Sequence, residues 1–177
     1  MGADLSLSRS IEERPAVVEA RRRIGDWEAD TVIGRNHRQA IVTLVERKSG
    51  LLLMRKVERK TARAVGDAII DLLAPYRDRV HTITSDNGRE FAGHENISAV
   101  LGADFFFAHP YASWERGSNE NTNGLIRQCF PKKRDFATIT QREINAATAK
   151  LNNRPRKRLG YKSPVQVFFK SGVALHG

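Results

Sequence analysis

Five carboxylates stand where the sequence predicts the faces or ends of regular elements. Asp26, Glu28 and Asp30 alternate along a predicted strand, so all three project from one of its faces. Asp86 follows another predicted strand, and Glu120 lies in the first turn of a predicted helix. Three carboxylates on one strand face repel each other unless water or a metal ion compensates their charge. Carboxylates from different elements can together bind Mg²⁺, which prefers a few carboxylates with water and phosphate oxygens.

The alternative for each acidic residue is a structural role as a turn or helix cap. This role is the commoner one for a single carboxylate at such a position. Strand alternation also treats Asp26, Glu28 and Asp30 alike. The residues alone therefore predict a possible metal site without choosing its ligands.

The elements that would position these carboxylates are predicted from periodicity and turn signals. Three strand-like runs come first, and the turn signal at 48–50 favours a short antiparallel connection: Trp27–Ile33, Ala40–Arg47 and Leu51–Val57. Helices and strands then alternate: a helix capped by Thr61, the strand Val80–Ser85, a helix over Phe91–Leu101, the strand Asp104–Ala108, and helices from Ser118 and about Thr140. This order predicts an α/β fold with a mixed five-stranded sheet, three antiparallel strands first, and helices on both faces.

Composition favours a polyanionic partner. The 177 residues carry 30 Lys and Arg against 20 Asp and Glu, a formal charge of +10, and such an excess attracts a phosphate backbone. The single cysteine, Cys129, excludes an internal disulfide and a multi-cysteine zinc site. No run approaches the roughly 18 apolar residues of a membrane span, so no membrane association is expected.

Three sequence blocks carry a family resemblance. Gly25–Asp30 has an Asp three residues after a Trp, Thr84–Phe91 has Asp-Asn-Gly followed by Glu-Phe, and His109–Asn121 has a Pro-Tyr loop leading to Gly-x-x-Glu. There are 33 residues between Asp86 and Glu120. In this order and spacing, the blocks resemble the retroviral-integrase superfamily, and most closely the insertion-sequence-thirty family of transposases. The similarity extends from Ile11 to Phe169.

The resemblance implies an RNase H-like fold with the catalytic and metal-binding triad Asp30, Asp86 and Glu120. It implies two Mg²⁺ or Mn²⁺ ions per site, which would support cleavage of DNA at the element's end and strand transfer into target DNA. The chain would divide into a leader or linker at 1–22, an integrase-type catalytic core at 23–170 and a tail at 171–177.

Other residues are candidates for DNA contact. Arg127 lies seven residues after Glu120, on nearly the same helix face, where a guanidinium could hold the scissile phosphate. The remaining candidates are Asn119 and Asn123 on the same helix, His109, Tyr111 and Trp114 in the preceding loop, and the basic cluster Arg154, Arg156, Lys157 and Arg158. A structural or merely solvated role is the alternative for each of them.

The resemblance also implies partners and location. The expected partners are the terminal inverted repeats and target DNA, on which the protein would form a homodimer or higher oligomer, in the nucleoid of a prokaryotic cytoplasm. Family members carry an N-terminal helix-turn-helix region, which residues 1–25 are too short to supply. Two alternatives therefore stay open at this point: a truncated, non-catalytic DNA-binding remnant, and an RNase H-like nuclease that only hydrolyses.

Overall fold

A mixed sheet of six strands organises the chain. The computed structural model describes residues 8–110, 112, 115 and 117–170, with the side chains of 117, 119 and 120 excepted. The strands are β1 (Arg9–Ser10), β2 (Asp26–Ile33), β3 (Ala40–Glu46), β4 (Leu52–Val57), β5 (Thr82–Ser85) and β6 (Asp104–Phe107). Their order is β1-β6-β5-β2-β3-β4. The strands β2, β3 and β4 form the predicted antiparallel meander, and β1, β6, β5 and β2 run parallel.

The helices begin and end largely where the local chemistry indicates. They are α1 (Ala16–Glu19), α2 (Ala62–Leu73), α3 (His94–Leu101), α4 (Gly117–Cys129), α5 (Gln141–Asn152) and α6 (Pro164–Lys170). The predicted cap of α2 is confirmed, because Thr61 Oγ1 accepts from the amide of Ala64 at 3.1 Å. Gly102 ends α3 with φ +66°, a conformation that glycine adopts without strain. The helix predicted from Phe91 starts later, since a 3₁₀ turn at Arg89–Phe91 precedes α3.

Helices cover both faces of the sheet, as predicted. On one face α2, α3 and α6 bury an apolar core, whose centre includes Trp27, Leu44, Ile69, Ile97 and Phe168. On the other face α4 and α5 bury a second core, which includes Val32, Ile41, Val45, Ile126 and Ile144. Sheet strands therefore contribute to both cores, which fixes the face on which each of their polar residues lies. None of the helices in the described part of the chain is long and apolar enough to cross a membrane.

The predicted strand count was too low by one. Residues 8–22, interpreted from the sequence as part of a leader, contribute β1, whose Arg9 and Ser10 pair with Phe106 and Phe107. A strand of two residues has no periodicity to detect. In the same stretch Val18 is fully buried, and the largely buried side chain of Arg14 donates to Thr84 Oγ1 at 3.1 Å. The described part of this stretch thus packs against the sheet.

A buried ion pair joins β2 to the end of β3. Glu28 is 0% exposed and Arg47 is 1% exposed, and Arg47 Nη1 donates to Glu28 Oε1. Arg47 Nε also donates to the carbonyl of Val18 at 3.3 Å, which ties α1 to the sheet. A buried charge is costly without its partner, so this pair holds several elements in one arrangement.

We predict that Arg47→Ala strongly lowers the free energy of unfolding. The substitution removes the buried guanidinium that is bonded to the Glu28 carboxylate, and breaking a buried ion pair costs about 3–5 kcal/mol. Arg55→Ala is the matched control, because Arg55 forms an exposed bridge to Asp71 at 2.8 Å and exposed bridges contribute about 0–1 kcal/mol. Urea unfolding of both variants measures the difference, and equal losses would contradict the role given to the buried pair.

Candidate active site

Asp30 and Asp86 belong to neighbouring strands of the sheet. Asp30 lies within β2, and Asp86 directly follows β5. The parallel pairing of β2 with β5 aligns Asp26 with Thr82 and Glu28 with Thr84. Continued by two residues on each chain, this register brings the position of Asp86 beside Asp30, at the usual spacing of about 4.8 Å between neighbouring strands.

The other two acidic residues of β2 have structural partners. Asp26 accepts from Arg23 Nε at 2.8 Å and Nη2 at 2.9 Å, and from Thr82 Oγ1 at 2.8 Å, while Glu28 pairs with Arg47. Arginines therefore compensate the charge of these two carboxylates. Asp30 is the acidic residue of this face whose position lies beside that of Asp86.

Helix α4 contributes an amide to the site. Asn123 Nδ2 donates to Asp30 Oδ2 at 3.0 Å, and the amide of Thr31 donates to Asp30 Oδ1 at 2.8 Å. The Asn123 Oδ1 atom is buried and has no hydrogen-bond partner among the described residues. Glu120 lies one helical turn before Asn123 in α4, and its side chain is outside the described part of the chain.

Gly88 lies close to two carboxylates in the turn after β5. Its amide donates to Asp86 Oδ1 at 2.8 Å. A Cβ atom on Gly88 would lie 2.2 Å from Glu90 Oε2 and 2.8 Å from Asp86 Oδ1, so any larger residue here would displace these carboxylate groups.

Glu90 is a buried carboxylate beside the candidate site. The sequence did not indicate that Glu90 would lie there. It is 8% exposed, and its Oε1 atom accepts from Thr31 Oγ1 at 3.0 Å and lies 3.2 Å from Lys60 Nζ. Thr31 therefore bonds to Asp30 through its amide and to Glu90 through its hydroxyl. Glu90 belongs to the Glu-Phe end of the second motif, but nothing in that pattern indicates its contact with Thr31.

The donor set at this edge fits a divalent cation of the Mg²⁺ type. Asp30 and Asp86 supply carboxylate oxygens, and Asn123 Oδ1 is a buried oxygen with no partner in the described structure. Mg²⁺ is bound by a few such oxygens together with water and phosphate. Across the described side chains, no three His, Cys, Asp or Glu residues form a cluster that could hold a metal. Two carboxylates of the predicted triad lie among these side chains, and the third, Glu120, does not.

The contacts of Arg127 favour its structural alternative. Its Nη1 atom donates to the carbonyls of Ile33 at 2.9 Å and Phe130 at 3.4 Å, which ties α4 to the end of β2. Burial lowers the pKa of the Arg127 guanidinium from its usual value. A phosphate role for Arg127 remains a prediction, and its guanidinium is already engaged with the backbone.

The loop before α4 is described in part. His109 Nδ1 lies 2.8 Å from Glu115 Oε1 and His109 Nε2 lies 3.4 Å from Glu12 Oε1. The hydrogen bond to Glu115 raises the pKa of His109, so this exposed side chain is held by neighbouring carboxylates. Tyr111, Trp114 and the side chain of Asn119 lie outside the described residues.

The basic cluster follows α5, and its members differ in their contacts. Arg156 Nη2 donates to the carbonyl of Leu151 at 2.8 Å, and Arg158 Nη1 donates to the carbonyl of Lys48 at 3.1 Å. Lys157 and Arg158 are exposed, and Arg154 and Arg156 are partly buried. The structure thus separates residues that the sequence presented as one charged run.

Comparison with solved structures identifies the fold. The catalytic core domain of BIV integrase matches with a TM-score of 0.67 over 86% of this chain and 98% of that domain, at 24% identity. The simian T-cell lymphotropic virus intasome, solved with a PP2A regulatory subunit, contains a chain that matches with the same TM-score at 20% identity. The protein therefore has the RNase H-like fold of retroviral integrase catalytic cores.

Comparison of sequences then identifies relatives of the chain. The transposase for insertion sequence element IS4351 of Bacteroides fragilis is 50% identical over 158 residues, 89% of this chain and 48% of the relative. The transposase for IS30C of Escherichia coli K12 is 40% identical over 93% of this chain and 43% of its own length. No family model matches the chain. The resemblance predicted from the three motif blocks is confirmed: the chain is a relative of the insertion-sequence-thirty transposases and spans somewhat less than half their length.

We predict that Arg127→Ala destabilises the protein. Loss of the bonds to the Ile33 and Phe130 carbonyls should lower the free energy of unfolding by about 1–3 kcal/mol, and Arg127→Lys should lose less because it keeps a donor. Arg142→Ala, on the exposed face of α5, is the control for removal of an arginine. Chemical denaturation provides the measurement. Unchanged unfolding of Arg127→Ala together with impaired DNA cutting would instead support a phosphate role.

Proposed function

We propose that this chain is the catalytic core of a DDE-type transposase, which cleaves DNA at the ends of an insertion sequence and joins the freed 3′ ends to target DNA. The observation that supports the proposal is the register of β2 and β5, which pairs Glu28 with Thr84 and, continued by two residues, brings the position of Asp86 beside Asp30. The names of the relatives, transposases for insertion sequence elements, support the same reaction.

The proposed catalytic residues are Asp30, Asp86 and Glu120, which would hold two Mg²⁺ or Mn²⁺ ions. When bound, such a pair of ions stabilises the attacking and leaving oxygens of an in-line phosphoryl displacement. Asp30 enters this site with one oxygen bonded to the amide of Thr31 and the other to Asn123. These bonds fix the carboxylate before substrate arrives, so little reorganisation is needed at the moment of reaction.

The proposed substrates are the terminal inverted repeats and target DNA. The formal charge of +10 supports a polyanionic substrate, and the basic residues after α5 are candidates for its phosphate contacts. We propose that the protein acts as a dimer or higher oligomer on DNA, since strand transfer must hold element ends and target together. A prokaryotic cytoplasm is the corresponding location.

We predict that Asp86→Asn abolishes DNA cleavage. The substitution removes the charge of one proposed metal ligand while preserving its size, so Mn²⁺-dependent nicking of supercoiled plasmid should fall to background and Mn²⁺ binding by calorimetry should weaken. Asp71→Asn is the matched control, because Asp71 is an exposed partner of Arg55 on α2. A duplex with a pre-cut 3′-OH end tests strand transfer separately from hydrolysis.

Two outcomes would contradict the proposal. Nicking by Asp86→Asn at the wild-type rate would show that Asp86 has no catalytic role. Nicking by the wild type without transfer of the pre-cut end would favour a nuclease that only hydrolyses.

We predict that Asn123→Ala impairs catalysis more than DNA binding. Its amide bonds to the charged Asp30, and a hydrogen bond to a charged group contributes about 1.5–3 kcal/mol, so the nicking rate should fall roughly ten- to a hundredfold. Gln128→Ala on the exposed side of α4 should leave the rate unchanged. A large loss of DNA affinity in Asn123→Ala, with an unaltered rate for bound DNA, would show that this residue holds DNA rather than Asp30.

A further inference from the structure

A cavity of about 140 Å³ lies between the start of α4, the turn that joins β3 to β4, and the chain after α5. Its polar lining comes from two groups of residues. Three are arginines, and three come from the first turns of α4: Arg21, Arg156, Arg158, Ser118, Asn121 and Thr122. None of the described residues that line the cavity is acidic.

The three arginines concentrate positive charge on this cavity. Burial and the neighbouring charge of Arg21 lower the pKa of Arg158, and burial with the charges of Arg154 and Arg158 lowers the pKa of Arg156. The carboxylate of Glu46 partly offsets the charge at Arg158, but its oxygens already accept from the amide of Gly25 and from Ser49. An anion in the cavity would relieve this repulsion.

Two of the arginines are held in place before any ligand arrives. Arg156 donates to the carbonyl of Leu151 and Arg158 to the carbonyl of Lys48. Each guanidinium has five N–H donors, so these bonds orient the groups and leave further donors for a ligand. Such preorganisation lowers the entropy cost of binding.

An unsatisfied hydroxyl independently indicates a ligand. Ser118 is 8% exposed, and its Oγ atom has no hydrogen-bond partner among the described residues. A buried hydroxyl without a partner is costly, and Ser118 lines the cavity at the beginning of the 13-residue helix α4. The start of a helix also favours anions, since its first amides lack partners within the helix.

We propose that this cavity binds one phosphodiester group of a DNA strand, with Arg21, Arg156, Arg158 and Ser118 as its ligands. The proposal rests on the proposed function for the identity of the anion, because the cavity itself specifies only a phosphate-like group. Ser118, Thr122 and Leu125 form one stripe of α4, whereas Asn123 and Arg127 project from the opposite side of the helix. A phosphate held here would therefore lie across α4 from the candidate active site.

The test uses single substitutions of arginines that line the cavity. Binding of a fluorescein-labelled 20-base-pair duplex is measured against KCl concentration in EDTA, so that catalysis does not contribute. Arg158→Ala and Arg21→Ala should each reduce the slope of log affinity against log salt, and because they share one phosphate the two reductions together should not exceed about 0.9. Lys157→Ala is the matched control, since this exposed neighbour does not line the cavity, and its slope should stay unchanged.

A second variant keeps the charge. Ser118→Ala should weaken duplex binding roughly ten- to a hundredfold, the effect of one hydrogen bond to a charged group, with no change of slope. Thermal melting of every variant separates loss of binding from loss of folding. Arg21 and Arg158 keep the test decisive if Arg156→Ala unfolds, since Arg156 also supports the end of α5.

The outcomes separate this proposal from the catalytic one. Equal slope changes for Lys157→Ala and Arg158→Ala would overturn the pocket in favour of a diffuse positive surface. Stabilisation of the wild type, but not Arg158→Ala, by inorganic phosphate, with no difference in duplex binding, would overturn DNA as the source of the phosphate. If the slopes change as predicted but the protein does not nick plasmid, the phosphate pocket is supported and the catalytic proposal is contradicted. If the protein nicks plasmid but the slopes of the variants are unaltered, the catalytic proposal is supported and the phosphate pocket is contradicted.

Discussion

The parallel pairing of β2 with β5 is the constraint on which the candidate site depends. Parallel strands need a long connection, and here that connection includes β3, β4 and α2, so residues distant in sequence become neighbours. The register also determines which acidic residues lie on the same face of the sheet. A slip of one residue would turn Asp86 to the face opposite Asp30. Helix α4 then adds Asn123 from the following part of the chain, across the end of β2.

The distribution of charge over this face follows from the same pairing. Toward the start of β2, arginines neutralise the carboxylates: Asp26 pairs with Arg23, and Glu28 pairs with Arg47. Toward its end, Val32 enters the apolar core under α4 and α5. Asp30 lies between the two regions, where its carboxylate accepts from the amide of Thr31 and from the side chain of Asn123.

Sequence reasoning predicted the order of elements, the faces covered by helices, and the motif that contains Asp86. It could not choose Asp30 over Asp26 and Glu28 without the family resemblance, because alternation assigns all three to one face. The partner of Glu28, Arg47, is visible only once β2 and β3 are placed in register. The edge strand at Arg9–Ser10 is too short for any periodicity. The seven-residue spacing of Arg127 from Glu120 predicts a shared helix face, but not the backbone carbonyls that Arg127 contacts.

The separation of the site's parts along the chain has a consequence for synthesis on the ribosome. Asp30 and Asn123 bond to each other across 93 positions, and Asp86 lies between them in sequence. Chains fold broadly from the N-terminus as they emerge, so a nascent chain that ends at β6 has both aspartates but neither Asn123 nor Glu120. An interrupted product of that length lacks one residue of the proposed triad. The order of synthesis thus completes the proposed site only after α4 has been made.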